Sequence, residues 1–303
     1  MMASLILNIV VILFLPFIFI GVINKTKAFW AGRKGASIIQ PLYDFVRLVK
    51  KGQVISKTTS FIFPIAPTIT LASLLFAGLL TPIVHHRAVF GFEGDFILFA
   101  YILALGKFFS IVGAMDTGSS FEGMGASREA GFSTLVEPAF FIIMASLVAI
   151  TGNYSFESVS LMLHKTADLG YLIIVLSGIT IFIMILVEGC RVPVDDPNTH
   201  LELTMIHEVM VLDNSGIDLA FISYGAGLRM VILSSLIANM ISSSVFVYVV
   251  VLFILATLIG TIESSFARLR MTHVFEFVFV LCSISLIVLS LTMLFLYGDM
   301  GSL

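Results

Sequence analysis

Eight apolar stretches, at residues 4–23, 62–84, 96–114, 134–151, 170–188, 217–240, 243–263 and 274–296, leave this chain few ways to fold. Each is close to the roughly 20 apolar residues that a helix needs to cross a bilayer. The rest of the composition agrees. Of the 303 residues, 59% are hydrophobic and only 12% are charged. A water-soluble domain carries about a quarter of its residues as charges. The mean hydropathy is +1.10. The 28 Phe, against one Trp and seven Tyr, suit lipid-facing and helix-packing surfaces. The expectation is an all-α, polytopic membrane protein of about eight transmembrane helices, with residues 1–303 forming a single integral membrane domain.

The first run carries its bases, Lys25 and Lys27, after the apolar residues rather than before them. A cleaved signal peptide has the opposite order, so this run reads as a retained first span. Orientation follows from the loops. With the N-terminus outside, the inside loops are 24–61, 115–133, 189–216 and 264–273. They hold Lys25, Lys27, Arg33, Lys34, Arg47, Lys50, Lys51, Lys57, Arg128, Arg191, Arg268 and Arg270, which is 12 of the 16 basic residues. The outside loops hold Arg87 and Lys165. This split is what the positive-inside rule predicts for a bacterial or archaeal inner membrane. The long, chemically rich loops therefore face the cytoplasm.

In the first inside loop, Leu42, Phe45, Val46 and Val49 recur at helical spacing, with Asp44, Arg47 and Lys50 opposite. This predicts a short amphipathic helix from Pro41 to Lys50 lying in the membrane interface. It is either positive ballast resting on lipid or a docking surface. The second inside loop is broken by Gly118, Gly123, Gly125 and Gly131. Its Gly-x-Gly follows no strand and is not a dinucleotide fingerprint; the glycines suit a tight loop beneath a partner. Glu137-Pro138 opens the fourth span. Its carboxylate is either favoured by a helix N-terminus or functional at bilayer depth, where it costs roughly 2.5–3.5 kcal/mol near a helix centre.

The third inside loop is the most acidic stretch. Glu188, Asp195, Asp196, Glu202, Glu208, Asp213 and Asp218 face Arg191, His200 and His207. Asp196-Pro197 and Thr199-x-x-Glu202 are helix-start signals. His200, His207 and Glu208 match no His-Glu-x-x-His zinc pattern. Two cysteines, Cys190 and Cys282, are too few for an iron–sulfur cluster. A cluster of acids and histidines beside a membrane suits either proton relay or docking. Within the spans lie Lys107, Arg229, Glu263 and Glu276, and ionisable groups at such depth are functional candidates. Glu263 and Glu276 have Arg268 and Arg270 nearby as possible partners.

Three motifs resemble the membrane subunit shared by respiratory complex I and the group 4 membrane-bound NiFe hydrogenases. The first runs from Arg33 and Gly35 to Gln40. The second is Asp116-Thr117-Gly118-Ser119, Gly125 to Ala130, and Val136-Glu137-Pro138. The third is Glu188, Arg191-Val192-Pro193, Asp195, Glu202, Leu203 and Glu208. The second motif resembles the formate hydrogenlyase and hydrogenase-4 branch. Gln40 is followed by Pro41-Leu42-Tyr43-Asp44, where complex I continues into an Arg-x-Gly-Pro-Asn stretch. Leu135-Val136-Glu137-Pro138 stands where complex I ends in Ser-Tyr-Glu. Both departures point away from quinone binding. Pro193-Val194-Asp195-Asp196 also departs from the Pro-Phe-Asp of formate hydrogenlyases and points to a side branch.

The resemblance implies an anchor and ion-coupling subunit that links electron transfer in docked cytoplasmic subunits to proton or sodium movement. It implies no cofactor in this chain, with Ni-Fe and iron–sulfur clusters in partner subunits. Those partners would be hydrogenase-like large and small subunits, an iron–sulfur subunit and antiporter-like membrane subunits. The coupling candidates are Glu137, Glu188, Arg191, Asp195, Asp196, Glu202, His207, Glu208, Lys107, Arg229 and Glu263. The docking candidates are Arg33, Gln40, Asp116, Arg128 and Glu129. The alternatives are a quinone-site subunit of an NADH-quinone oxidoreductase and a stand-alone secondary transporter. The transporter would be built from inverted repeats, and none is evident.

Overall fold

The computed structural model describes residues 2–83, 88–163, 169–195, 205–241 and 244–300. Eleven helices follow one another without a strand among these residues. They are α1 (Met2–Trp30), α2 (Gln40–Val49), α3 (Ile62–Leu80), α4 (Asp95–Asp116), α5 (Ser120–Thr151), α6 (Phe156–Leu163), α7 (Leu169–Glu188), α8 (His207–Met210), α9 (Ile217–Ile241), α10 (Val245–Ser265) and α11 (Met271–Met300). Eight of them, α1, α3, α4, α5, α7, α9, α10 and α11, are long and apolar enough to cross a membrane. A helix is the natural spanning element because it satisfies its own backbone hydrogen bonds where no water is available.

Helix α9 is the most enclosed of the eight. It packs against α1, α3, α7 and α10, while α4 closes on α3 and α5, and α11 closes on α5 and α7. The charged residues that α9 and α4 carry are thereby held inside the bundle rather than against lipid.

All four loops expected inside meet at one end of the bundle. Gln53 of the first donates to Asp218 at the start of α9. The Asp213 backbone N–H of the third donates to Glu122 of the second at 3.1 Å. Arg268 of the fourth pairs with Asp195 of the third at 3.0 Å.

Three expectations are corrected. Residues 120–133 are not a glycine-broken loop. They form the first turns of α5, which runs 32 residues without interruption. A glycine within a helix costs only about 1 kcal/mol, and Gly125 returns that cost by letting α8 approach. A Cβ there would lie 2.4 Å from Val209 Cγ1 and 2.8 Å from the Ile206 carbonyl. Consequently Glu137 lies in the middle of α5, about 21 Å from its Thr151 end at ~1.5 Å per residue, and not at a helix N-terminus. Finally, α2 does not only rest on lipid. Phe45 packs its ring 5.4 Å from Phe17 of α1 and 5.7 Å from Tyr224 of α9, while Val46 and Val49 stay exposed.

Candidate functional site

Four spans each deliver one charge to a common point inside the bundle. Lys107 comes from α4, Glu129 from α5, Glu188 from the last position of α7, and Arg229 from α9. All four are buried. Lys107 Nζ lies 2.5 Å from Glu188 Oε1 and 3.3 Å from Glu129 Oε1. Arg229 Nη1 reaches Glu188 Oε2 at 3.4 Å and donates to the Glu188 carbonyl at 3.3 Å. Two cations meet two anions, so the group is neutral as a whole. That balance matters because an isolated charge away from water costs several kcal/mol.

A second cluster lies towards the loop-rich end. Glu263 of α10 is held by Lys27 of α1 at 2.6 Å and by Arg191 at 3.1 Å. A third surrounds Asp195. Its Oδ1 pairs with Arg268, and its Oδ2 accepts the backbone N–H groups of Ile206 at 3.0 Å and His207 at 2.9 Å. Asp195 thus fixes the segment that carries α8. Arg128 steadies the same segment by donating to the Met205 carbonyl at 2.7 Å.

His207 joins the first and third clusters. Its Nδ1 is sealed from solvent and has no hydrogen-bond partner among the described residues. The ring borders a cavity of about 40 Å³ whose wall includes Glu188, Asn214 and Arg229. A cavity of that size has room for water, and these polar groups in its wall can hydrogen-bond it. Burial holds the His207 imidazole below its usual range. Glu129 and Asp195 oppose that shift, while Arg229 and Lys107 reinforce it. Cys190 sits close by, and burial first, then Glu129 and Asp195, pushes its thiol well above the ordinary range.

The sequence candidates fall into distinct places. Lys107, Glu188, Arg191, Asp195, His207, Arg229 and Glu263 are gathered in the three clusters. Glu137 is exposed on the flank of the bundle, where it borders an apolar cleft with Lys107, Glu188 and Tyr101. Glu208 is half-buried on α8. Asp196 and Glu202, with the helix start expected at Thr199, lie outside the described residues.

Two of the docking candidates make contacts within the chain. Glu129 is buried against Lys107, not displayed to a partner, because α5 already turns as a helix at that point. Asp116 accepts the backbone N–H groups of Ser60 at 2.8 Å and Phe63 at 3.2 Å, so it caps the start of α3. Arg33 is exposed, and Gln40 donates to Asp44 on the surface at 2.9 Å. The pairing of Glu263 and Glu276 with Arg268 or Arg270 is replaced as well. Glu263 takes Lys27 and Arg191, and Glu276 lies 2.8 Å from His273.

Glu122 was not singled out from the sequence. It is fully buried and receives the Asp213 N–H, while its Oε2 has no hydrogen-bond partner among the described residues. Ser119-x-x-Glu122 has the spacing of a capping box, which was the available signal.

The family model described as NADH dehydrogenase matches residues 3–295. Hydrogenase-4 component C of Escherichia coli (strain K12) is 30% identical over 230 residues, covering 75% of this chain and 71% of that protein. Formate hydrogenlyase subunit 4 of the same organism is 26% identical over 140 residues, 46% of each chain. Among solved structures, a chain of the membrane-bound sulfane sulfur reductase, an archaeal respiratory membrane complex, superposes with a TM-score of 0.80 at 17% identity. That match covers 96% of this chain and 99% of the other, and it speaks to the fold. With one family model spanning nearly all of its residues and a relative aligned over most of its length, this chain belongs to the NADH dehydrogenase family.

Proposed function

We propose that this chain is the membrane anchor and ion-coupling subunit of a group 4 hydrogenase-type, formate hydrogenlyase-like complex. The observation that carries the reading is the buried tetrad of Lys107, Glu129, Glu188 and Arg229. Stability alone does not call for it, since well-packed apolar residues generally serve as well or better in such places. Lys107 stands between two carboxylates. A proton on either carboxylate leaves the ammonium to the other, so the protonated tetrad has two arrangements of the same net charge, one unit more positive than its neutral resting state. His207 and the cavity beside it offer water a route between the tetrad and the Asp195 cluster.

Under this reading the loop-rich end faces the cytoplasm and the N-terminus lies outside. Arg33, Gln40 and Arg128 lie on or near that end, where a hydrogenase-like large subunit, a small subunit and an iron–sulfur subunit would sit. The metal centres belong to those partners. A change of charge in them acts on Asp195 and His207 and is passed to the tetrad. Glu137 opens sideways, towards an antiporter-like membrane subunit. Glu208 extends the acidic approach from the loops, and Asp196 and Glu202 belong to the same proposed coupling set.

The test is purification of the native complex through a tag on this chain, with identification of its subunits and metals. Nickel together with an iron–sulfur subunit and antiporter-like subunits supports the reading. A chain that arrives alone yet moves an ion in liposomes sinks it in favour of a transporter. A bound quinone would shift the assignment to a quinone-site subunit.

A further inference from the structure

We infer that the seam between α1 and α10 is a binding site for an anionic diacyl phospholipid. Two features on the same pair of helices carry this. The first is an apolar groove of about 120 Å³. Phe19, Tyr248, Leu252 and Ala256 form its buried floor, and Ile18 and Phe253 are among its exposed walls. The second is an open pocket of about 480 Å³ at the loop-rich end, lined by Lys27, Trp30, Arg33 and Glu263 among others.

The two are continuous by helical register. On α1 the groove positions Val11, Leu15, Phe19 and Val22 lead at three- and four-residue steps to Thr26 and Trp30. On α10, Val245, Val249, Leu252 and Ala256 lead likewise to Gly260 and Glu263. The helices touch between the two features. A Cβ on Gly260 would lie 2.8 Å from the Ile23 carbonyl. Trp30 bridges the seam by donating its indole N–H to Thr261 at 3.2 Å. An indole at the boundary between apolar and polar regions marks the headgroup level of a bilayer.

Charge decides the occupant. Glu263 is the one carboxylate lining the pocket, and Lys27 and Arg191 already hold it. Arg33 has no ion pair among the described residues, and Lys25 and Lys34 lie beside it, with Lys25 donating to the Lys34 carbonyl. The pocket therefore keeps an excess of positive charge at the foot of an apolar groove. A neutral protein helix would fill the groove and leave Arg33 unmatched. A lipid with a negative headgroup satisfies both ends, as basic pockets between membrane helices do elsewhere.

The experiment follows thermal unfolding of the full chain in dodecyl maltoside while phosphatidylglycerol or phosphatidylcholine is added at matched ratios. Phosphatidylglycerol is expected to raise the Tm several degrees more than phosphatidylcholine. Arg33→Glu should abolish that difference, whereas Lys50→Glu, an exposed position beyond α2, should keep it. Leu15→Trp, in the groove, should weaken the response while Arg33 remains. Equal responses to the two lipids overturn the assignment, as does equal loss in both charge variants. Cross-linking of Val249→Cys in native membranes to a neighbouring protein also overturns it, because a protein helix would then occupy the groove.

Discussion

Lys107 Nζ of α4 and Glu188 Oε1 at the end of α7 lie 2.5 Å apart, in a buried contact at which four spans converge. Lys107→Met leaves Glu129 and Glu188 sharing only Arg229, and Glu188→Gln leaves two cations facing one anion. Each single change is expected to cost about 3–5 kcal/mol, the usual result of stranding a buried charge. The double variant keeps one cation, Arg229, and one anion, Glu129. It should be more stable than the sum of the singles by roughly 0.5–3 kcal/mol. Thermal unfolding of the four proteins in detergent closes the cycle, and strict additivity would show that the contact carries no coupling.

Glu137 offers a contrast. It is exposed on the flank of α5 and makes no ion pair among the described residues. Glu137→Gln should therefore change the stability of the isolated chain by less than about 0.5 kcal/mol. In vesicles carrying the whole complex, the same change, or Asp195→Asn, should abolish ion translocation. Intact pumping in both variants would refute the proposed path.

The pH response of the chain should carry the mark of His207. Its folded value lies below the usual 6.5, so between the two values the unfolded chain binds the extra proton and the folded chain does not. The stability tied to this group is thus complete above pH 6.5 and falls as pH drops towards the folded value. Glu129, Asp195, Arg229 and Lys107 surround it, so the comparison must be with His207→Gln rather than with buffer alone. The variant should show a flatter Tm profile between pH 7.5 and 5.5. Parallel profiles would mean that the imidazole is already protonated or freely solvated.

Two glycines of α5 should respond in opposite senses. Gly123 has nothing within 4 Å of an added Cβ, so Gly123→Ala should stabilise the isolated chain by about 0.5–1 kcal/mol through helix propensity alone. Gly125→Val drives side-chain atoms into Val209 and the Ile206 carbonyl and should cost about 1–3 kcal/mol. It should also displace His207, which begins α8. Unfolding curves for both variants check the sign, and a neutral Gly125→Val would mean that α8 does not rest on α5.

Much of the architecture was legible because a bilayer imposes a single length scale on apolar runs. Each expected span falls on one of the eight long apolar helices, although α5 begins 14 residues before its expected start and α1 runs seven residues past its expected end, and Lys107 and Arg229 stand out as charges where the sequence has almost none. Partner choice was not legible, because it is set by how helices distant in sequence pack. Lys27 reads as loop charge yet closes on Glu263, and Glu129 reads as surface yet faces Lys107. The glycines around Glu129 are the source of that second error. Four glycines in a short stretch suggest a loop, but only Gly118 lies in the connection between α4 and α5, while the helix α5 tolerates Gly123, Gly125 and Gly131, and Gly125 supplies room for a neighbour. Asp116 shows the same limit in miniature, since a capping acid and a docking acid look alike until the N–H groups above it are located.

The order in which the chain is made follows from the pairing of its first and last segments. Lys27 leaves the ribosome long before Glu263, and Asp195 before Arg268, and each pairs with the later one. A nascent chain with fewer than seven spans inserted holds Lys27 and Arg191 without their carboxylate. One that stops short of residue 268 holds Asp195 without its arginine. The loop-rich end therefore matures as the final act of insertion.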